Sequence, residues 1–106
     1  MARREASPIV PTLTHKEALI LQLLGRSREM YGLELVSASE GKLKRGTVYV
    51  TLGRMEEKGY VASRLDDSPP PGGGLPRRLY APTALGRQVA SAWTMAARQL
   101  APRFAR

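Results

Sequence analysis

The sequence contains no cysteine, which excludes disulfide bonds, thiolate nucleophiles and cysteine-based metal sites. It has one histidine, His15, and it lacks a metal-ligand cluster, a phosphate-cradling glycine loop with its lysine, and a nucleophile motif. We therefore predict that the protein is not an enzyme and that it has neither a cofactor nor a metal site. The lack of cysteine also suits a reducing compartment, so we expect a cytoplasmic protein.

Long apolar runs are also missing. Residues 18–24 are apolar except for Gln22 and are closed by Gly25, whereas a membrane span needs about 20 apolar residues. Arg3 and Arg4 resemble a twin-arginine signal only in the pair itself, because no useful apolar stretch follows before Pro11. We predict no membrane partner and interpret residues 1–13 as a flexible basic arm.

Acidic residues are scarce relative to basic ones. The 106 residues include 17 Lys and Arg against 9 Asp and Glu, which gives a formal net charge of +8. A chain of this size fits one small domain, and an excess of positive charge favours a polyanionic partner.

Helical periodicity dominates the first half of the chain. A capping box of Thr14 and Glu17 opens a predicted helix over 14–24, which Gly25 should end. A shorter helix runs to about Ser39, and a third follows over 45–58. Two short helices joined by a glycine-containing turn indicate a helix-turn-helix.

The second half begins with two segments of strand composition, 60–65 and 77–81. The Pro-Gly tract between them predicts a β-hairpin with a long flexible tip. After Pro82, Thr83 can cap a last helix, which Pro102 should end or bend. The predicted fold is mostly α with a small β-hairpin (α+β class), a winged helix-turn-helix over 14–82 followed by a C-terminal dimerisation helix over 83–106.

The start of the third predicted helix is the main candidate site. With Val48, Leu52 and Met55 facing the core, the other side is free for a partner. A helix N-terminus favours a phosphate, basic side chains add charge, and hydroxyls reach phosphates or base edges. The alternative to a binding site is that this basic helix start is simply exposed to solvent. The predicted surface for double-stranded DNA adds the arginines of the second strand: Lys44, Arg45, Gly46, Thr47, Tyr49, Val50, Arg54, Arg77 and Arg78.

Asp66 and Asp67 lie at the other base of the hairpin tip, where they would repel phosphates or pair with the arginines. Such a Pro-Gly tract is more often a plain flexible loop than a recognition element.

The last predicted helix carries an apolar line too broad for so small a domain to cover. Packing against a second copy would cover it, and the predicted homodimer residues are Leu85, Val89, Trp93, Ala96 and Leu100. Trp93 is either an aromatic of the dimer core or a stacking platform for a small aromatic effector.

Four motifs in order resemble the PadR-like family of transcription regulators. Residues 30–35 are similar to the family's Gly-Tyr-Glu-Ile/Leu second helix, and 45–49 to its Gly-Thr-Leu-Tyr recognition-helix signature. Residues 54–61 resemble its "RLEEEGLV" segment, and the pattern P-R-R-x-Y-x-x-T-x-x-G-R occupies 76–87. Leu33, Val50 and Gly53 depart from the usual residues.

The resemblance implies a dimeric repressor that dimerises through its last helix, with Thr47 and Tyr49 near DNA. It also implies that the β-hairpin is a wing whose arginines, Arg77 and Arg78, contact the DNA backbone. Some relatives bind small aromatic compounds between their last helices. The competing hypothesis is a winged-helix module that docks on another regulator or a polymerase subunit.

Overall fold

The computed structural model describes residues 13–68 and 71–104, and in the last helix it describes side chains as far as Arg98. The described residues form four helices and three strands: α1 (His15–Ser27), β1 (Met30–Tyr31), α2 (Gly32–Ala38), α3 (Arg45–Glu57), β2 (Val61–Asp66), β3 (Arg77–Pro82) and α4 (Ala84–Phe104). The strands make one antiparallel sheet in the order β1-β3-β2. The predicted fold class, a mostly α protein with a small sheet, is confirmed.

The core lies between helices α1, α2 and α3 and the sheet. Its buried members come from α1, β1, α2, the turn before α3, α3 and the hairpin: Ile20, Leu21, Leu23, Leu24, Met30, Leu35, Leu43, Val48, Leu52, Met55, Val61 and Tyr80. Leu13, the last residue of the predicted basic arm, packs against this cluster. The rest of that arm, residues 1–12, lies outside the described residues.

The start of α1 is tied to the end of α3. The predicted capping box is present, since the Glu17 amide donates to Thr14 Oγ1 at 3.0 Å and the Thr14 amide donates to Glu17 Oε1 at 3.1 Å. The other Glu17 oxygen accepts from Lys58 Nζ at 2.8 Å, and the Glu17 side chain is only 3% exposed. A buried carboxylate needs such a cation, because removal of one partner leaves an uncompensated buried charge.

The turn between α2 and α3 is held by one hydroxyl. Ser39 is buried; its Oγ donates to the Val36 carbonyl at 2.7 Å and accepts from the Leu43 amide at 2.9 Å. Glu40 and Gly41 follow with φ of 55° and 92°, a region that glycine adopts easily. This turn sets the orientation of α3 relative to α2.

The predicted end of α1 at Gly25 is wrong. Helix α1 continues through Gly25 to Ser27 and ends at Arg28, whose φ is 74° and whose amide donates to the Leu24 carbonyl at 2.8 Å. A glycine inside a helix costs only about 1 kcal/mol, which the buried neighbours Leu23 and Leu24 offset. Helix α4 runs to Phe104, so Pro102, which was expected to end or bend it, does not end it.

Strand β1 was not predicted. Its two residues pair with β3 through Met30 opposite Tyr80 and Tyr31 opposite Leu79. Strand β3 extends one residue beyond the predicted segment 77–81, to Pro82. No helix of the described residues is long and apolar enough to cross a bilayer.

Helix α4 docks on the segment that follows α3. The Thr83 amide donates to the Tyr60 carbonyl at 3.0 Å, and Thr83 Oγ1 donates to the Gly59 carbonyl while it accepts from the Gly86 amide at 2.9 Å. The predicted capping role of Thr83 is thus confirmed. A Cβ at Gly86 would lie 2.0 Å from the Tyr60 carbonyl oxygen, so only glycine permits this approach.

We expect Gly86→Ala to destabilise the protein by about 2 kcal/mol, because the clash with the Tyr60 backbone forces α4 to shift. Gly53→Ala is the matched control: a Cβ there meets nothing within 4 Å, and alanine should stabilise the helix by up to about 1 kcal/mol. Urea unfolding at one protein concentration compares the two. Equal effects of both changes would show that the Tyr60 contact does not hold α4.

Candidate nucleic-acid interface

The rotation of α3 decides which of its residues face outward. Val48, Leu52 and Met55 are at most 1% exposed, as the spacing predicted. Tyr49 and Val50 are 48% and 55% exposed. The remaining predicted residues of this helix and of its N-cap are exposed as well: Lys44, Arg45, Gly46, Thr47 and Arg54.

The N-terminus of α3 is electrostatically open. Its N-cap, Lys44, makes no side-chain cap, and the first turn contains no acidic residue. A Cβ at Gly46 would meet nothing within 4 Å, so a ligand can approach the backbone there. The helix dipole and the uncapped amide groups therefore add to the charges of Lys44 and Arg45.

Tyr49 rests on the first residue of α2. A Cβ at Gly32 would lie 2.5 Å from Tyr49 Cε1 and 2.8 Å from the Tyr49 hydroxyl oxygen. A side chain at position 32 would therefore have to displace the Tyr49 ring. The glycine was noticed only as part of a motif, because its contact with Tyr49 depends on the packing of α2 on α3.

The two wing arginines are exposed but not loose. Arg77 lies over the Tyr31 ring, with Cζ 4.0 Å from the ring centroid, a cation–π geometry. Arg78 Nη1 donates to Ser63 Oγ at 3.0 Å, and Ser63 Oγ in turn donates to Glu56 Oε2 at 2.8 Å. Both guanidinium groups are thus oriented by neighbours on the sheet and α3.

The helix and the wing form one connected surface. Tyr49 packs on Gly32, Gly32 follows Tyr31 in the chain, and Arg77 stacks on Tyr31. The structure therefore links the candidate residues of α3 with one of the two wing arginines. Tyr31 is the residue that makes this link, and sequence reasoning missed it.

Two acidic residues beside the wing, Glu29 and Asp66, have hydrogen-bond partners. Glu29 forms two hydrogen bonds with Arg64, from Nε at 2.8 Å and Nη2 at 2.9 Å, and the Arg64 hydrogen bond lowers the pKa of the Glu29 carboxyl. Asp66 accepts from the Tyr31 hydroxyl and from the Ser68 amide. Pairing of Asp66 with a wing arginine, one of two expectations, is not what the described residues show.

The predicted dimerisation residues lie along α4 with unequal exposure. Leu85 is 45% exposed, whereas Val89, Trp93 and Ala96 are half-buried; the Leu100 side chain lies outside the described residues. The ring of His15 meets Trp93 edge-on, with centroids 6.4 Å apart. An open cleft of about 920 Å³ runs between α1 and α4, and Leu19, Ala90 and Trp93 are among its lining residues.

Comparison with known proteins gives a family and a set of structural neighbours. A model of the PadR-like family of transcriptional regulators matches residues 20–92. This confirms the resemblance drawn from the motifs, and with it the expectation of a regulator and not an enzyme. No curated protein matches the sequence.

Three solved structures are similar to this one. A PadR family transcription regulator from Clostridium difficile R20291 is 25% identical with a TM-score of 0.73, over 88% of this chain and all of that one. PadR of Bacillus subtilis, solved with operator DNA, is 24% identical with a TM-score of 0.64, over 74% of this chain and 45% of that one. A mutant MarR of E. coli, also solved with operator DNA, is 16% identical with a TM-score of 0.68, over 82% of this chain and 57% of that one. The last two show a shared winged-helix fold; with the family match over more than half of its length, this chain belongs to the PadR-like family of transcriptional regulators.

Proposed function

We propose that this regulator binds double-stranded DNA sequence-specifically and acts in the cytoplasm as a homodimeric repressor. The observation that carries the proposal is the outward, cationic and uncapped start of α3, held rigidly by its buried side. A rigid helix that presents positive charge and hydroxyl groups at its N-terminus suits a major groove.

The residues divide by the part of the duplex that they would contact. Lys44, Arg45 and the backbone at Gly46 suit phosphates, because a helix N-terminus and a cation both favour an anion. The exposed side chains of the following turns suit contacts with base edges: Thr47, Tyr49, Val50 and Arg54. Val50 would contact the methyl group of a thymine.

The wing would lie along the DNA backbone. Arg77 and Arg78 are exposed and oriented on the sheet, and an oriented guanidinium loses less entropy when it binds a phosphate. The operator DNA bound to Bacillus subtilis PadR and E. coli MarR supports the same use of this fold here. A dimer seated on a promoter would block transcription.

A salt titration of binding to the DNA upstream of the protein's own gene tests the proposal. We expect affinity to fall steeply with salt, by about 0.9 log units per log unit of salt for each phosphate contact. Unmeasurable affinity at low salt, or affinity that does not depend on salt, would contradict DNA binding.

Two arginine variants make that titration specific. Arg45→Ala should weaken binding and reduce the salt slope by about 1. Arg87→Ala removes the same charge from an exposed arginine in the first turn of α4, outside the proposed interface. Arg87→Ala should change little. Equal losses would indicate a general attraction of charges and not an interface at α3.

Dimerisation through α4 is supported by its incompletely covered apolar line: Leu85 is 45% exposed, and Trp93 lines an open cleft against α1. Two paired subunits would present their α3 helices to half-sites about 34 Å apart. The predicted line comprises residues 85, 89, 93, 96 and 100 of the helix, and the structure describes the side chains of the first four.

Sedimentation without DNA should give twice the chain mass of 11.6 kDa. Ala96→Glu places a charge on the apolar line and should give monomers, whereas Ser91→Glu places it about 140° around the helix at an exposed position and should not. A wild-type monomer would favour the alternative, a module that docks on another regulator or a polymerase subunit.

A small aromatic effector is proposed for Trp93, which lines the cleft between α1 and α4. An indole in an apolar cleft can stack on a planar ligand. Since Trp93 is the only tryptophan, planar aromatics should quench its fluorescence saturably, and saturated rings of equal charge should not. Absence of quenching at any soluble concentration would remove the effector from the proposal.

A further inference from the structure

Three polar side chains meet where the wing leaves the sheet. Asp66 and Arg77 are opposite each other on the last paired position of β2 and β3, and Tyr31 lies on β1, the neighbouring strand of β3. An acid and an arginine at facing positions of an antiparallel pair ordinarily form an ion pair. Within the described residues, Arg77 forms no ion pair, so the expected contact is not made.

The Asp66 carboxylate is occupied elsewhere. Its Oδ2 accepts from the Tyr31 hydroxyl, and its Oδ1 accepts from the Ser68 amide at 3.0 Å. These bonds turn both oxygens toward hydrogen-bond donors that carry no charge. In accord with this, the Tyr31 hydrogen bond, and after it the Ser68 amide, lower the pKa of the Asp66 carboxyl, while the same carboxylate raises the pKa of Tyr31.

The guanidinium of Arg77 is held by the same tyrosine. Its Cζ lies 4.0 Å from the Tyr31 ring centroid, and its Nη2 donates to the Tyr31 hydroxyl oxygen at 3.4 Å. Stacking on a ring orients the cation without neutralising it. Arg64 shows the contrary case in the same sheet, since both its Nε and Nη2 are bonded to the Glu29 carboxylate.

We infer that Tyr31 is a positioning residue for DNA binding: its hydroxyl occupies the Asp66 oxygen that would otherwise bind Arg77 directly, and its ring holds the guanidinium, so that Arg77 stays without a direct carboxylate partner and can bind a phosphate. This inference rests on the proposed function. Tyr31 lies outside α3, and it would contribute to DNA affinity through the wing residue Arg77.

Tyr31→Phe separates the two roles of the side chain, because the ring stays and only the hydroxyl is lost. The released Asp66 should then pair with Arg77, and DNA affinity should fall several-fold, close to that of Arg77→Ala, with the salt slope reduced by about 1. Asp66→Asn removes the competing charge, so Tyr31→Phe/Asp66→Asn should bind within about 2-fold of Asp66→Asn alone. Thermal unfolding of each variant checks that the fold is kept.

Rescue by Asp66→Asn is the result that a merely structural role of Tyr31 does not give. If Tyr31→Phe binds like the wild type, or if the double variant remains as weak as Tyr31→Phe, the inference is overturned. Loss of the fold in Tyr31→Phe would also overturn it, because the hydroxyl would then serve stability.

A measurement without DNA separates this inference from the proposed function. Carboxyl ¹³C NMR should find the Asp66 pKa still low in Tyr31→Phe, since Arg77 replaces the hydroxyl, and higher in Tyr31→Phe/Arg77→Ala. Equal Asp66 pKa values in the two variants would overturn the exchange of partners even if DNA binds. Conversely, wild-type protein that binds no DNA would refute the proposed function, and with it the role of Tyr31 in DNA affinity, while the NMR result still decides the contact.

Discussion

The buried side of α3 is the constraint on which the surface depends. Val48, Leu52 and Met55 are almost completely buried, and each fully buried side chain of this kind stabilises the fold by about 1.5–3 kcal/mol. Rotation of α3 by one residue would expose this side to water and draw Arg45 and Tyr49 toward the core. Because that cost is large compared with the marginal stability of a small domain, the helix has one permitted rotation, and the cationic side faces outward.

The acidic residues of the described chain reinforce this arrangement. Glu17 is bound to Lys58 at the end of α3 and not at its start, and Glu29 is paired with Arg64. Glu56 accepts from Ser63, which itself accepts from Arg78. These three acids thus lie at the far end of α3 or beside the hairpin, and the first turn of α3 contains none.

The elements predicted correctly are those with strong local signals. The capping box at Thr14 and Glu17 requires only neighbouring residues, and the spacing of the buried α3 residues follows from helix geometry alone. Strand β1 has two residues, so it has no periodicity to recognise and exists only because β3 offers partners. Gly25 shows the reverse case, in which a local signal for a helix end is overruled by the packing of the same helix on the core.

The site was predictable to a similar degree. The exposed positions of α3 follow from its buried ones, so the residues near Arg45 could be named from the sequence. The contact of Tyr31 with Asp66 and Arg77 could not, because these residues are 35 and 46 positions away from Tyr31 along the chain. Pairing rules for charges would have joined Asp66 to Arg77. Strand β1 brings in the Tyr31 hydroxyl, which binds Asp66 instead.

The attachment of α4 to the end of α3 connects the proposed dimerisation with the proposed DNA binding. Gly86 contacts the Tyr60 carbonyl with no room for a side chain, and Thr83 bonds to both Gly59 and Tyr60, the residues directly after the end of α3. These backbone contacts leave little freedom for α4 to pivot relative to α3. In a dimer formed through α4, the separation of the two α3 helices would therefore follow directly from the angle at which the α4 helices cross. A ligand that changed that angle at Trp93 would alter the fit to both half-sites without touching a DNA-binding residue.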